Sequence, residues 1–496
     1  MTIVDNDLLS IQEARILAEN AFESQKKLAT FSQEKLDEIV ESMADSVEKH
    51  IQTLAVMSNE ETDYGKQQDK CLKNQFVCGY ARKQLRGMRC VGIISEDKQN
   101  KMMDIGVPVG VIVALCPATS PVSTTIYKTL ISIKSGNSII FSPHPRAKNT
   151  ITKVLDIMKE VAESKGLPEG SLAYLNTVTK SGTCELMGHY ATSLIMNTGV
   201  SNLLKAAYKS GKPVIYGGTG NGPAFIERTA DIKQAVKDII NSKTFDNGIV
   251  PSAEQSIVVD GPIADKVRQE LLENGAYFMS ENESVKLASH FFSDGKSKSE
   301  CVGVAAITLA QRAGFSVPEN TSVLLVERKY VSENDPYSKE MLCPVLTYYV
   351  EDDWMDACEK CIELLLSKRN GHTLVIHSND QEVIRLFALK KPVGRMLVNT
   401  PATLGGIGAT TNLFPSMTLG SGSAGDGITS DNVSPMNLIY IRKIGYGVRN
   451  FDSIRGEIKE KKKPSLESKF QKEDENIGNI QTIQSILNEV IQAMDK

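Results

Sequence analysis

The sequence predicts an α/β protein with two doubly wound domains, each built on a parallel sheet. Apolar segments of strand length alternate with helical patterns before Phe245, and the alternation resumes after it. The segment 109–115 (VGVIVAL) is continuously apolar, as expected for a parallel strand that is buried on both faces. The chain has 496 residues, which is too long for one compact core. These observations favour two α/β domains over one.

The first part of the chain, 11–86, is predicted to be helical. Apolar residues recur at helix spacing at Ala14, Leu17, Ala18 and Phe22, and Ser32 marks the start of a second helix. The strands and helices of the first α/β series then follow at 109–115, 126–135, 138–142, 150–165, 172–176, 193–197 and 213–217. The second series is predicted at 256–259, 264–273, 323–327, 345–350, 354–367, 373–378 and 395–399.

These series assign 1–90 and 108–243 to one domain and 244–435 to the other. Two short apolar segments around a charged turn predict a hairpin arm at 91–107, and a late strand within 436–450 is expected to pair with it. Such an arm is a common oligomer interface, so we expect a homodimer or a dimer of dimers.

The last part of the chain changes character. Residues 451–475 are highly charged and predict a flexible linker. Beyond it, 476–496 carries an apolar stripe at three- and four-residue steps, which predicts an amphipathic helix. This helix could fold back onto the domains or dock onto a partner, and its detachment from the domains favours docking.

Composition restricts the partners. The net charge of −4 gives no electrostatic reason to expect nucleic acid, and no apolar run is long enough to span a membrane. The N-terminus carries no pattern of a secretory signal, and nine cysteines without framework spacing favour a reducing, cytoplasmic compartment. Cys358 and Cys361 lie in a helical pattern, which favours a buried helix face over a metal or redox motif.

Three loops are predicted at the carboxyl ends of strands, where doubly wound sheets bind ligands. Ser142-Pro143-His144 follows the strand 138–142, and its histidine could bind a ribose hydroxyl or serve only a structural role. Thr198-Gly199 precedes a helix and could admit a phosphate. The loop after 213–217 brings the backbone close to a ligand or has several positive φ angles; it contains Gly217, Gly218, Thr219, Gly220 and Asn221.

The loop 245–256 (FDNGIVPSAEQS) lies near the middle of the chain and leads into the apolar segment at 257–259. Together with other ordered motifs along 11–448, it makes the chain resemble the CoA-acylating aldehyde dehydrogenases, the branch of the aldehyde dehydrogenase superfamily that forms short acyl-CoA. The motifs include FSPHPRAK, LLKAAYKSGKP, GGTGNGPAFIE, SKEMLCPVL, GHTLVIHS and VNTPATLGGIGATTNL. The resemblance implies the aldehyde dehydrogenase fold, with 1–90 and 108–243 as the NAD-binding domain and 244–435 as the catalytic domain.

In that family a cysteine thiolate attacks the aldehyde, a hydride passes to the nicotinamide, and CoA accepts the acyl group. The resemblance implies NAD as cofactor, with NADP as an alternative, and CoA and a small aldehyde as substrates. It places His144 at the adenosine ribose, the loops of Thr198 and Gly217 along the cofactor, Glu340 at the nicotinamide ribose and His372 near the substrate and CoA.

The departures from the family pattern concentrate at the catalytic position. Pro251 stands where the family has the nucleophilic cysteine, so both a thiol and a backbone N–H are absent there. Ser120 stands where the family usually has an asparagine. Val200 replaces a glycine, and the segment 420–427 lacks the usual cysteine and tryptophan. Ser252 is adjacent but has no visible base, and Cys116 is the one unusual thiol expected near the pocket.

Two hypotheses follow. The chain is either an active dehydrogenase with a displaced nucleophile, or a non-catalytic paralogue that retains the fold and binds NAD or CoA as a structural or regulatory subunit; the missing cysteine favours the second. The linker and the striped helix resemble the peptides that send such dehydrogenases into bacterial microcompartments, where shell or core proteins would be the partners of 476–496.

Overall fold

The computed structural model describes residues 5–293, 296–366, 371–455, 484–485 and 487–488. Its strands, in chain order, are β1 (Gly92–Asp97), β2 (Met102–Pro108), β3 (Val111–Leu115), β4 (Ser138–Ser142), β5 (Leu172–Tyr174), β6 (Thr192–Thr198), β7 (Val214–Gly217), β8 (Pro223–Ile226), β9 (Ser256–Asp260), β10 (Ala276–Phe278), β11 (Phe292–Ser293), β12 (Lys296–Ser297), β13 (Val323–Glu327), β14 (Val345–Glu351), β15 (Thr373–His377), β16 (Arg395–Val398) and β17 (Ile439–Gly445).

The α-helices are α1 (Asn6–Leu28), α2 (Gln33–Glu48), α3 (Ile51–Thr62), α4 (Gln67–Gln75), α5 (Arg82–Leu85), α6 (Pro121–Lys134), α7 (Lys148–Ser164), α8 (Lys180–Gly188), α9 (Leu204–Lys209), α10 (Ile232–Thr244), α11 (Ala264–Glu273), α12 (Glu281–Phe291), α13 (Ala306–Arg312), α14 (Trp354–Leu366), α15 (Gln381–Leu389) and α16 (Ala402–Gly406). A π-helical segment, Phe76–Ala81, joins α4 to α5.

Two parallel sheets organise the larger of the two compact units, which consists of Met1–Ile94 and Ile105–Arg442. The first sheet has the strand order β5-β4-β3-β6-β7, and the second has the order β10-β13-β14-β9-β8-β15-β16. This arrangement confirms the predicted α/β fold with two parallel sheets. None of the described helices is both long and apolar enough to cross a membrane.

Strand β3 shows why the first sheet is covered by helices on both faces. Its alternate residues pack into two different hydrophobic clusters: Ile112 belongs to the cluster that contains residues of α2, α6 and α7, and Val113 to the cluster that contains residues of α1 and α8. Both side chains have no exposed surface. A continuous apolar strand is therefore required, because a polar side chain on either face would be buried without a hydrogen-bond partner.

Helix α1 starts the layer on one face of this sheet. Its buried stripe contains Ala14, Ala18 and Ala21, whereas Phe22, which the sequence analysis placed in the stripe, is 37% exposed. Small residues let the helix lie close to the sheet, and the larger Phe22 lies outside the buried stripe. Ser32 caps α2 as predicted, because its side chain accepts a hydrogen bond from the backbone N–H of Lys35.

Strand β8 belongs to the second sheet, a pairing that the sequence does not predict. The sequence predicts 108–243 as part of one domain, and within this range Pro223–Ile226 pairs with β9 and β15 in the second sheet. The chain thus changes sheet in the glycine-rich loop between β7 and β8. A four-residue apolar segment directly after such a loop contains no signal of the sheet to which it belongs.

The smaller unit consists of Ser95–Asp104 and Lys443–Lys496, and within its described residues Lys443 forms an ion pair of 2.9 Å with Asp104. The strands β1, β2 and β17 form a three-stranded sheet in that order, as predicted for the hairpin arm and the late strand. The linker at 451–475 is described only to residue 455, and of the tail 476–496 only 484–485 and 487–488 are described, all four helical.

Candidate active site

A cavity of about 350 Å³, here called the main cavity, lies between loops of the two sheets. Loops that follow β3, β6 and β7 form one side, and loops that precede β9, β14 and β15 form the other. Most of the residues selected from the sequence line it: Ser120, His144, Thr198, Gly199, Gly217, Gly218, Thr219, Pro251, Glu340 and His372.

The loop after α10 is held in an unusual backbone conformation. Asp246 and Asn247 have φ angles of +49° and +53°, in the left-handed region that Asp and Asn tolerate better than most residues. The side chain of Asn247 donates to the carbonyl of Gly303 at 2.7 Å. A Cβ on Gly248 would lie 2.9 Å from the carbonyl oxygen of Cys343, so this position requires glycine. The Asp-Asn-Gly sequence is thus needed to form the turn.

Pro251 lines the main cavity at the end of this loop. It offers neither a nucleophile nor a backbone N–H. The neighbouring Ser252 is 1% exposed and is not among the lining residues; its hydroxyl donates to the carbonyl of Thr403 at 3.4 Å. Ser252 therefore does not present its hydroxyl to a ligand in the main cavity.

No cysteine lines the main cavity within the described residues. Cys116 lines a smaller cavity of about 150 Å³, is 1% exposed and accepts a hydrogen bond from Thr125 at 3.6 Å. Burial raises the pKa of this thiol, and burial raises the pKa of the Cys343 thiol to about 12. Both thiols are therefore protonated and poorly nucleophilic near neutral pH.

Cys358 and Cys361 are fully buried in an apolar cluster that also contains Val258, which agrees with the predicted buried face of α14.

The smaller cavity is lined by Ser142, Pro143 and His144 at the end of β4, and His144 belongs to both cavities. The Nδ1 atom of His144 accepts a hydrogen bond from the backbone N–H of Arg146 at 3.1 Å. The proton of the neutral ring is therefore on Nε2, which can donate to a ligand. Burial, together with the charge of Arg146, lowers the pKa of His144 and favours this neutral form.

Two residues of the glycine-rich loop have structural roles. The backbone N–H of Gly220 donates to the Oε1 atom of Glu340 at 2.8 Å, and a Cβ on Gly220 would clash with the carbonyl oxygen of Pro251. Asn221 is 2% exposed and donates to the carbonyls of Ser338 and Leu364 at 3.0 and 2.9 Å. Neither residue lines the main cavity, in contrast to Gly217, Gly218 and Thr219.

The remaining two predicted residues are ionisable groups with perturbed pKa values. Burial raises the pKa of Glu340 to about 7. His372 is 2% exposed, its Nδ1 atom lies 2.9 Å from the hydroxyl of Thr373, and burial lowers its pKa well below the ordinary value, helped by Arg395. His372 is therefore a neutral side chain, and Glu340 changes charge near neutral pH.

A buried charged cluster that the sequence does not predict lies next to Ser120. It consists of Lys70 and Lys73 on α4, together with Asp246. The two lysines are 3% exposed and the aspartate is fully buried. Two lysines three residues apart on a helix are usually found on a solvated surface, so the sequence contained only one hint, the Asp-Asn-Gly turn that the cluster holds.

Comparisons with known proteins agree with this fold. The aldehyde dehydrogenase family matches residues 3–284. The bifunctional aldehyde-alcohol dehydrogenase AdhE of Escherichia coli is 37% identical over 446 residues, which is 89% of this chain and 50% of that protein. The chain thus spans about half the length of such relatives. The acetylating succinate-semialdehyde dehydrogenase of Clostridium kluyveri is 34% identical, over 88% of this chain and 96% of that protein.

Solved structures also match over most of the chain. A probable aldehyde dehydrogenase from Listeria monocytogenes has a TM-score of 0.88 and 47% identity, covering 91% of this chain and all of that one. A propionaldehyde dehydrogenase from Rhodopseudomonas palustris, with bound CoA and an acylated cysteine, has a TM-score of 0.79 and 25% identity over 87% of this chain and 97% of that one. A propionaldehyde dehydrogenase of a Clostridium phytofermentans bacterial microcompartment has a TM-score of 0.78 and 28% identity over 88% of this chain and 97% of that one.

Proposed function

Because the chain belongs to the aldehyde dehydrogenase family, and its relatives include CoA-acylating members, we propose that it binds the ligands of that reaction but turns over weakly or not at all. The reaction is aldehyde + CoA + NAD⁺ to acyl-CoA + NADH + H⁺. The observation that carries the proposal is Pro251, which lines the main cavity in the loop where the family has its nucleophile.

The lining fits a nicotinamide dinucleotide. His144 offers an N–H donor between the two cavities, and Glu340 offers a carboxyl group in the main cavity. Two glycines of the main cavity, Gly199 and Gly217, have no side chain, so a ligand can approach their backbone. Gly199 has a φ of +69°. When bound, the nicotinamide would accept a hydride from the substrate. We propose that His144 and Glu340 bind the two ribose groups, and that His372 contacts the substrate or CoA as a neutral donor or acceptor.

The lack of turnover follows from what the cavity does not contain. Acyl transfer through the enzyme needs a nucleophile that forms a covalent bond to the carbonyl carbon. Within the described residues the main cavity has no thiol, and the buried Ser252 hydroxyl is bonded elsewhere. The loss of the backbone N–H at Pro251 also removes a donor for the developing oxyanion.

An active enzyme with Cys116 as displaced nucleophile is the competing candidate. Cys116 lines only the smaller cavity, which adjoins the main one through His144 and Val200. Its buried thiol, with a raised pKa, makes it a poor nucleophile.

The test is a coupled assay of NADH formation with acetaldehyde or propionaldehyde and CoA. The wild type is expected at or near background, and Pro251→Cys is expected to gain activity. Cys116→Ser is the control for the displaced thiol. Turnover of the wild type at ordinary dehydrogenase rates, about 1–1,000 s⁻¹, would contradict the proposal.

For the cellular context, we propose that the tail 476–496 directs the protein to a bacterial microcompartment and that the arm mediates a homodimer or a dimer of dimers. The support is the apolar stripe of the tail in the sequence and the existence of a relative from such a compartment. A fluorescent protein fused to 476–496 should co-localise with shell proteins in a shell-forming host. Diffuse fluorescence in that host would count against targeting.

A further inference from the structure

A lysine amine and a cysteine thiol are in direct contact far from the main cavity. Lys391 follows α15 by two residues, and its Nζ atom donates to the backbone carbonyl of Cys358, on α14, at 2.8 Å. The same Nζ atom lies 2.6 Å from the Sγ atom of Cys358 and 3.8 Å from the centre of the Phe387 ring. These three contacts hold the amine of Lys391 beside the thiol of Cys358.

The distance between the Nζ and Sγ atoms is too short for an ordinary hydrogen bond. An N–H···O hydrogen bond measures about 2.9 Å, and sulfur is larger than oxygen, so an ordinary N–H···S hydrogen bond is longer still. A direct covalent S–N bond, in contrast, is shorter than the 2.6 Å observed. The separation fits a nitrogen and a sulfur that are both bonded to one oxygen atom between them.

The surroundings of the pair favour reaction with a small oxidant. Cys358 has no exposed surface and lies in an apolar cluster, whereas Lys391 is half-buried. Among the described residues Lys391 forms no ion pair, so no carboxylate competes for its amine. Cys361, the other cysteine of α14, is also fully buried, and burial raises the pKa of its thiol. Dioxygen is small and apolar enough to enter such a cluster.

We propose that Cys358 and Lys391 form a reversible covalent N–O–S bridge with dioxygen as the oxidant. The balanced step is R–NH₂ + HS–R′ + O₂ to R–NH–O–S–R′ + H₂O. One oxygen atom becomes the bridge, and the other leaves as water with one hydrogen from the amine and one from the thiol. Dioxygen accepts four electrons, two from nitrogen and two from sulfur. A dithiol reductant returns these electrons and restores the amine and the thiol.

The bridge would join two helical segments of the second sheet's covering layer. Its two residues are 33 positions apart in the sequence, so the bridge restricts the unfolded chain and stabilises the folded one. Helix α14 also supports the glycine-rich loop, because the carbonyl of Leu364 accepts from Asn221 at 2.9 Å. Oxidation therefore fixes a helix on which this loop depends. Neither Cys358 nor Lys391 lines the main cavity, so the inference does not rest on the proposed function.

The test compares two samples of the full-length wild type, one kept in dithiothreitol without oxygen and one in air-saturated buffer. Peptide mass spectrometry should find the peptides of Cys358 and Lys391 joined in the air-exposed sample. Their joint mass should exceed the sum of the two reduced peptides by one oxygen, less two hydrogens. Dithiothreitol should separate them again. The air-exposed sample should also unfold at a higher urea concentration than the reduced one.

Variants assign the bridge to the two residues. Cys358→Ser and Lys391→Met should lack both the joined peptides and the difference in urea unfolding between the two samples. Cys361→Ser and Lys390→Met are the matched controls, since Cys361 is a buried cysteine of the same helix and Lys390 is the exposed neighbour of Lys391. Both controls should retain the bridge. If a variant does not fold, the two samples of the wild type still decide the matter.

Several results would overturn the inference. A free Cys358 thiol and an unmodified Lys391 in the air-exposed wild type would exclude the bridge. A disulfide between Cys358 and Cys361, a sulfinic acid at Cys358 beside a free Lys391 amine, or joined peptides without the added oxygen would each replace it by other chemistry. None of these results affects the proposed function, which the assay of NADH formation tests separately.

Discussion

Replacement of Asp246 by asparagine tests the buried cluster as a source of stability. Asparagine has nearly the same shape and tolerates the left-handed backbone at this position, where φ is +49°. The substitution therefore keeps the shape and removes the charge together with one of the two acceptor oxygens. Asp246 is fully buried, and its carboxylate accepts from the ammonium groups of Lys70 and Lys73 and from the backbone N–H of Lys66 at 2.6 Å.

The expected loss follows from leaving buried ammonium groups without their counter-ion. Breaking a buried ion pair by removing one partner costs about 3–5 kcal/mol, and we expect the free energy of unfolding of Asp246→Asn to fall by that amount at pH 7. Urea unfolding followed by circular dichroism, with linear extrapolation, measures it. Asp231→Asn is the matched control, because Asp231 is an exposed N-cap of α10 and asparagine caps equally well.

The pH dependence gives a second check. The pKa of Lys70 is lowered to about 8 in the folded protein, below its ordinary value, so between pH 8 and about 10.4 the unfolded chain binds more protons than the folded one. The contribution of Lys70 to stability therefore rises with pH in this window. The difference in the free energy of unfolding between Asp246→Asn and the wild type should shrink near pH 10, where Lys70 has lost its proton in both folded proteins. A loss below about 1 kcal/mol at pH 7 would show that the buried ion pairs of Asp246 do not stabilise the fold.

Three further predictions concern individual site residues. In the native protein, Cys116 should react with iodoacetamide more slowly than the partly exposed Cys71 and Cys184; peptide mass spectrometry measures the labelling of each. Equal labelling of the three would support Cys116 as a displaced nucleophile. The affinity for NAD⁺, measured by calorimetry, should rise through pH 7 as Glu340 ionises, and this rise should be absent in Glu340→Gln. If the affinity depends on pH equally in both proteins, Glu340 does not bind the cofactor. Gly220→Ala should lower the free energy of unfolding by about 1–3 kcal/mol, because the added methyl meets the Pro251 carbonyl, whereas the exposed Gly79→Ala should not; no difference between the two would contradict the packing of this loop.

The local pattern of the sequence was sufficient to predict most of the strands and helices. Strand β4 and helix α11 have the bounds that the sequence predicts, since apolar periodicity and turn residues are local signals. The same signals place loops at the ends of strands, and parallel strands bring those ends together. The main cavity therefore contains most of the residues selected from the sequence, including Pro251 and His372.

What the sequence could not predict depends on contacts between distant segments. The assignment of β8 to the second sheet is set by its pairing partners and not by its own residues. Asn221 resembles a ligand contact in sequence, but its amide is used by two carbonyls more than 100 residues away. Lys70 and Lys73 lie more than 170 residues before Asp246, so no local pattern marks them as buried.

We propose that the site still binds its ligands and has lost its nucleophile. The most direct measurement is intact-protein mass spectrometry after incubation with propionyl-CoA, on the wild type and on Pro251→Cys. We expect a single propionyl adduct on the introduced thiol of the variant and none on the wild type. A wild-type adduct that maps to any native residue, or a variant that binds propionyl-CoA without being acylated, would contradict it.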